Sequence, residues 1–166
     1  AITTQVKRVG RYSVYVDGKF AFGVGESQLL GLGLYNGKEI TEVELAELKQ
    51  ESEIGKVYDK TLNLLSIRPR SESELRDYLK RKNQPPALVE IILNRLSNLG
   101  YVNDEDFAKR WVANRRLLKP MSSLKLRSEL KQKRIDNSII DKVLKADETN
   151  DVDVIREMIE SKRHRY

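Results

Sequence analysis

The chain has 166 residues and no cysteine, which removes disulfides, CxxC redox chemistry and thiolate metal sites at once. Its one histidine, His164, stands two residues from the last, so a histidine zinc site or a Ser-His-Asp triad has nothing to draw on. Aromatic residues are 7% and hydrophobic residues 39%, slightly below the usual apolar share even when glycine is counted in place of tyrosine. That content suits several small helical cores and is poor material for a large two-sided sheet. No apolar run approaches the length of a membrane span. The opening residues 1–7 lack the apolar stretch of a secretory signal, so a soluble, cytoplasmic protein is expected.

What the chain has is charge, 34% of its residues, with a formal net of +6. The distribution is more informative than the total. Residues 1–53 are net −2, 54–100 net +4, 101–146 net +6 and 147–166 net −2. A basic middle between mildly acidic ends points to a polyanionic partner, either nucleic acid or an acidic protein surface.

The first stretch reads as a β-hairpin. Residues 6–16 are rich in valine and tyrosine, with Tyr12, Val14 and Val16 alternating against Ser13 and Tyr15, Asp17-Gly18 suits a type I′ turn, and the chain returns with Phe20 and Phe22 on one face. A short helix follows over Glu26–Leu30. Thr41 and Glu44 form a capping box that opens a helix to about Ser52. A separate helix is expected from Lys56 to Ser66, carrying Val57, Tyr58, Thr61, Leu62 and Leu65 on one face. Ser71 and Glu74 open the next, with Leu75 and Leu79. Pro86 starts a third that buries Leu88, Ile92, Leu96 and Leu99 and stops at Gly100.

The three-helix pattern then recurs, with caps at Asn103, Ser122 and Asp136 or Asn137. At an offset of 51, Leu75-Arg76 falls on Leu126-Arg127, Leu79-Lys80 on Leu130-Lys131, and Ile92 on Val143. At an offset of 47, Asp104, Phe107, Trp111 and Val112 fall on Asp151, Val154, Met158 and Ile159. The expected fold is therefore mainly α: tandem three-helix repeats in an elongated array behind an N-terminal β-hairpin region. The expected divisions are an extension over 1–53, a first repeat over 54–100, a second over 101–146, and the start of an incomplete third over 147–166.

Catalytic chemistry finds little here. Gly31-x-Gly33-x3-Gly37 misses the dinucleotide fingerprint by one residue and follows no βαβ pattern, and no phosphate-cradling loop ends in Gly-Lys-Ser/Thr. Asp104-Glu105-Asp106 could hold a divalent cation, but carboxylates in a helix's first turn serve the dipole in any case. Trp111 shares its face with Phe107, Ala108 and Val112 and reads as core, with Arg115 on the same arc set to snorkel or meet a carboxylate. No enzyme activity, cofactor or metal is expected.

Helical projection sets Arg76 and Lys80 in a stripe beside Leu75 and Leu79, and Arg127, Lys131 and Arg134 in the equivalent stripe beside Leu126 and Leu130. Arg68, Arg70 and Lys119 lie on the preceding loops. A solvated face would look similar, since Lys and Arg are good surface helix formers. Charge that repeats in register with the core favours a binding face. Three readings stay open: a regulator of a nucleoprotein filament, a stand-alone DNA-binding regulator with helix-turn-helix-like units, and a scaffold with no polyanionic partner. Against the second, no helix gathers several base-reading Asn, Gln and Arg side chains, Asn114 with Arg115 and Arg116 coming nearest.

Residues 14–23 (Val-Tyr-Val-Asp-Gly-Lys-Phe-Ala-Phe-Gly), 65–79 (Leu-Ser-Ile-Arg-Pro-Arg-Ser-Glu-Ser-Glu-Leu-Arg-Asp-Tyr-Leu) and 99–108 (Leu-Gly-Tyr-Val-Asn-Asp-Glu-Asp-Phe-Ala), with Trp111-Val112-x2-Arg115 beyond, carry a resemblance over essentially the whole chain. They closely resemble the RecX family, bacterial regulators of the RecA recombinase, in its long form with an N-terminal β extension. Asn103 stands where aspartate is frequent, and both cap helices. The resemblance implies a non-enzymatic modulator that binds the RecA filament, with single-stranded DNA as a further partner, and a monomer is expected. Such a modulator suppresses strand exchange, ATP hydrolysis and co-protease activity in DNA repair. It also implies three complete repeats, so the third repeat is expected to continue past Tyr166 in the whole protein.

Overall fold

A computed structural model describes residues 1–163, so His164 lies outside the described residues. The chain divides into two compact units, Ala1–Ser66 and a second from Ile67 onward.

In the first unit the Asp17-Gly18 pair takes the two positive φ values, 51° and 76°, that a type I′ turn requires. It joins β2 (Arg11–Val16) to β3 (Lys19–Gly25). The hairpin is part of a larger sheet. A short β1 (Ile2–Thr4) pairs antiparallel with β2, Ile2 opposite Val14, in the order β1-β2-β3. The strand expected from Val6 starts only at Arg11. The Gln5 amide donates to the Arg11 carbonyl at 2.9 Å and Gly10 has φ 74°, so residues 6–10 arch over between two strands. Phe20 also departs from expectation: Phe22 is 4% exposed but Phe20 is 61% exposed. It sits one residue from the turn, past a register shift between Val14 and Tyr15, with its ring edge-on to Tyr15.

Val14, Phe22 and Val24 form the core of this unit. Leu29 of α1 (Glu26–Gly31), the following Leu32 and Leu34, and Leu45 and Leu48 of α2 (Glu42–Ile67) pack on it. The Thr41 capping box forms as expected, the Thr41 amide donating to Glu44 Oε2 at 2.7 Å and the Glu44 amide to Thr41 Oγ1 at 3.2 Å. The helix it opens does not end near Ser52. It continues for 26 residues, so the expected gap before Lys56, and the division drawn between 53 and 54, fall inside α2. A mid-helix glycine costs about 1 kcal/mol, and here it leaves room for Gln28: a Cβ at Gly55 would lie 1.9 Å from Gln28 Nε2 and displace that side chain. That amide donates to the Glu51 carbonyl at 2.9 Å, and Ser52 Oγ donates to the Gly23 carbonyl at 2.5 Å. These bonds tie α1 and the sheet to the middle of α2.

The second unit holds α3 (Glu72–Arg81), α4 (Pro86–Asn98), α5 (Asp104–Leu118), α6 (Ser123–Gln132), α7 (Asn137–Ala146) and α8 (Asp151–Arg163). Ser71, Asn103, Ser122 and Asp136 each accept a backbone N–H as N-caps, and Pro86 starts α4. Leu75 and Leu79 of α3 are buried, as are Val89, Ile92, Leu93 and Leu96 of α4. Leu99, expected among them, is 65% exposed because the helix stops there and Gly100 turns the chain with φ 77°. The counterparts 51 residues on, Leu126, Leu130, Ile140 and Val143, are buried with Phe107, Ala108 and Val112 in the second core. Even the turns repeat. Asn83 and Arg134, also 51 apart, have φ 55° and 54°, and the next residue's amide reaches back to Leu79 or Leu130 at 3.1 Å in both, a Schellman closure.

The repeats join by a recurring contact. The first amide of α3, on Glu72, donates to Asp104 Oδ1 at 2.8 Å, and the first amide of α6, on Ser123, donates to Asp151 Oδ1 at 3.0 Å. Each carboxylate begins the next unit's first helix and caps the helix behind it. α8 thus occupies the place after the second repeat that α5 occupies after the first, and Val154, the counterpart of Phe107, is buried.

Candidate functional site

Four of the eight cations singled out above are held in ion pairs. Arg68 makes a bidentate contact with Glu74, both bonds 3.2 Å. Arg76 on α3 binds Glu72 at 2.8 Å and also Glu90 on α4, and Arg127 on α6 binds Asp141 on α7 at 2.6 Å. The last two pairs are the same staple: arginine and carboxylate stand 14 residues apart in each repeat, joining its second and third helices. Recurrence in register therefore has a structural cause at these two positions. Hydrogen bonds donated to Glu90 and Glu72 hold the Arg76 guanidinium above its ordinary pKa. Arg134 reaches back to the first repeat, 3.1 Å from Asp77 and 3.2 Å from Ser73 Oγ.

Arg70 is half-buried, its Nε without a hydrogen bond, and burial pulls its pKa down. Lys80, Lys119 and Lys131 differ from the rest: all three are exposed, and among the described residues none has an ion-pair partner. Lys80 and Lys131 occupy equivalent positions on α3 and α6. Arg127 and Lys131 line a shallow depression on α6 with Leu124, Ser128 and Gln132. Projection along one helix missed exposed Arg81, Lys82 and Lys125; Arg81 and Lys82 directly follow Lys80, and a plain run of charge would have flagged them.

Trp111 is no open stacking platform. It packs on the second core and donates from Nε1 to Glu129 at 2.9 Å, while Arg115 lies 4.8 Å and Lys133 5.2 Å from its ring centre. Of the two outcomes expected for Arg115, it is the pairing that occurs, with Glu129 at 2.9 Å. Two of the three acids at 104–106 are engaged within the protein. Asp104 caps α3, and Glu105 binds Lys109 at 2.7 Å and Lys142 at 2.8 Å, hydrogen bonds that hold its pKa at about 2. No helix among the described residues is long and apolar enough to cross a membrane.

The arrangement can attract anions on two equivalent helices, and comparison with known proteins agrees with the repeat pattern. Residues 58–96 match the family model described as RecX, first three-helix domain, and 103–144 match RecX, second three-helix domain. Residues 1–41 match the regulatory protein RecX N-terminal domain. The chain is 35% identical over 144 residues to a protein of Listeria welshimeri named regulatory protein RecX, and 32% identical over 143 residues to its namesake in Bacillus subtilis. These alignments cover 87% and 86% of this chain and 54% of each relative, so the chain spans about half the length of the curated relatives it matches. A crystal structure of regulatory protein RecX superposes with a TM-score of 0.75 at 34% identity, covering 87% of this chain and 71% of that one. That of RecX from Lactobacillus salivarius gives 0.53 at 27% identity, covering 55% and 59%. Three matched domains in the order of the sheet and the two repeats make the conclusion direct: this chain belongs to the RecX family of regulatory proteins.

Proposed function

We propose that this protein is a non-enzymatic, cytoplasmic modulator of the RecA recombinase. It acts as a monomer on the RecA–single-stranded DNA filament and lowers its strand exchange, ATP hydrolysis and co-protease activity. The observation that carries the reading is the pair Lys80 and Lys131: equivalent, exposed and without an ion-pair partner, beside Arg76 and Arg127, whose charge is neutralised within each repeat. Lys119 extends the same set, and Arg68, Arg70 and Arg134 contribute weaker fields because partners or burial claim them. Free lysines on successive repeats would track a phosphate backbone or an acidic filament groove, with strong salt dependence.

The test is charge reversal of Lys80, Lys119 and Lys131 to glutamate, read out as RecA ATPase on single-stranded DNA beside a circular-dichroism check of the fold. Inhibition should fall by about tenfold or more and become less sensitive to salt. Undiminished inhibition by the folded triple variant would remove the reading. A stand-alone DNA-binding regulator would instead bind naked DNA as tightly as filament and leave the ATPase unchanged.

A further inference from the structure

The arch between β1 and β2 carries side chains that contribute nothing to folding. Val6 and Val9 are 101% and 104% exposed. Between them stand Lys7 and Arg8, both exposed and without an ion-pair partner among the described residues. The arch is nonetheless built on a fixed base. The Arg11 amide donates to the Arg8 carbonyl at 3.3 Å, the Arg8 amide to Gln5 at 3.4 Å, and the Glu26 amide, at the start of α1, to the Gly10 carbonyl at 3.0 Å. Gln5 Nε2 adds a bond to Ser13 Oγ at 3.1 Å. Four solvent-facing side chains, Val-Lys-Arg-Val, are therefore presented from a preorganised support, which lowers the entropy cost of binding.

The local charge has the same bias. Residues 1–25 contain Lys7, Arg8, Arg11 and Lys19 against Asp17 alone, whereas residues 26–53 contain Lys38 and Lys49 against seven acids. The small negative total of this part of the chain conceals a basic sheet and an acidic helical segment.

We propose that the 6–10 arch is a second polyanion site, one that takes double-helical DNA. Lys7 and Arg8 bind backbone phosphates, and Val6 and Val9 pack on the sugar edges of a groove. A β-ribbon is narrow enough to enter the major groove, phosphate contacts position it there, and small apolar side chains make contact with apolar groups that the groove exposes. A membrane surface fits less well, because two valines without an aromatic neighbour bury too little to anchor. The site lies in the N-terminal unit and does not depend on the recombinase reading, so the test omits the recombinase.

Binding of the whole chain to a fluorescent mixed-sequence duplex is followed by anisotropy across a salt series, with a single strand of equal length in parallel. Lys7→Glu with Arg8→Glu should weaken duplex binding by about tenfold and reduce the salt slope by about 2, the mark of two lost phosphate contacts. Val6→Ser with Val9→Ser should weaken duplex binding about threefold and leave the slope unchanged, since no phosphate contact is lost. Both variants alter exposed positions and should keep the parent's circular-dichroism spectrum. Duplex affinity within about twofold of the parent in the charge variant overturns the proposal. So does an equal loss on the single strand, which would mark a contact for any phosphate chain.

Discussion

The junction between the two repeats and the junction between the second repeat and α8 share one backbone contact and differ in almost everything electrostatic. At the first, Asp104 caps α3 among acids: burial foremost, then Glu72 and Glu74, push its pKa up. At the second, Asp151 caps α6 beside Arg116, and the Ser123 amide chiefly holds its pKa down. The first junction is also closed from behind, where Lys133 binds Glu74 at 2.6 Å and Arg134 binds Asp77. The positions on α6 equivalent to Glu74 and Asp77 are Lys125 and Ser128, and Leu124 beside them is 78% exposed. The cap needs only a carboxylate and a helix's first amide, so it recurs. The side-chain pairs are free to vary, and α6, with no acid at the positions of Glu74 and Asp77, leaves Lys125 and Lys131 exposed without an ion-pair partner among the described residues.

Removing Glu74 should break the first junction most severely. Its carboxylate accepts hydrogen bonds from Arg68, from Lys133 and from the Ser71 amide. Burial works to raise its pKa, but these bonds outweigh it and hold the group at about 2. Glu74→Ala should cost about 2 kcal/mol in urea unfolding, less than a fully buried pair because water screens this one. Lys125→Ala, at the matching place on α6, should stay within about 0.5 kcal/mol of the parent. Equal costs would show that the asymmetry has no energetic content. A carboxyl whose pKa is depressed on folding stabilises fully above its unfolded value, roughly 4.3, and loses that contribution as pH falls towards 2. Glu74→Gln should therefore flatten the acid limb of the stability curve over that window.

The two capping aspartates should differ more modestly, and with opposite pH dependence. Asp151→Ala loses the bonds from the Ser123 amide and hydroxyl and the contact with Arg116 at 3.6 Å, a cost of about 1 kcal/mol. Asp104→Ala loses one amide bond but also removes a carboxylate that burial and two glutamates disfavour, so about half that cost is expected. As pH falls from neutrality, protonation of Asp104, whose pKa is raised on folding, favours the folded state. Protonation of Asp151, whose pKa is lowered, disfavours it. Acid unfolding of the Asp104→Asn and Asp151→Asn variants should shift in opposite directions from the parent, and shifts of the same sign would sink the contrast.

Features governed by neighbours in the chain were legible in the sequence. Ser71 with Glu74, Thr41 with Glu44 and Asp17-Gly18 act within four residues, and each formed as its local chemistry requires. The repeat register was legible too, because Leu75 and Leu126 are buried by the same packing. What depends on distant partners was not. β1 is three residues long and exists by pairing with β2, and the glycine in the middle of α2 leaves room for Gln28, far back in α1. For the candidate site, projecting one helix shows where a cation points but not what waits on the next helix. Arg76 and Arg127 looked as free as Lys80 and Lys131. The missed signal was that Glu90 and Asp141 also recur at the 51-residue offset, acid in register with base.

The smallest and sharpest contrast is between Asn83 and Arg134, which close α3 and α6 with the same left-handed φ. Asparagine tolerates that conformation, whereas arginine is disfavoured there by about 1 kcal/mol. Arg134 holds the strained position while bridging to Asp77 and Ser73, an exposed contact of a few tenths of a kcal/mol to about 1 kcal/mol. The two effects nearly cancel, so Arg134→Asn should change stability by no more than about 0.5 kcal/mol. With Asp77→Ala already in place the bridge is gone, and the same substitution should stabilise by about 0.5–1 kcal/mol in a double-mutant cycle. If Arg134→Asn stabilises just as much with Asp77 present, the arginine bridge contributes nothing, and the closure of the first junction rests on Glu74 and Lys133.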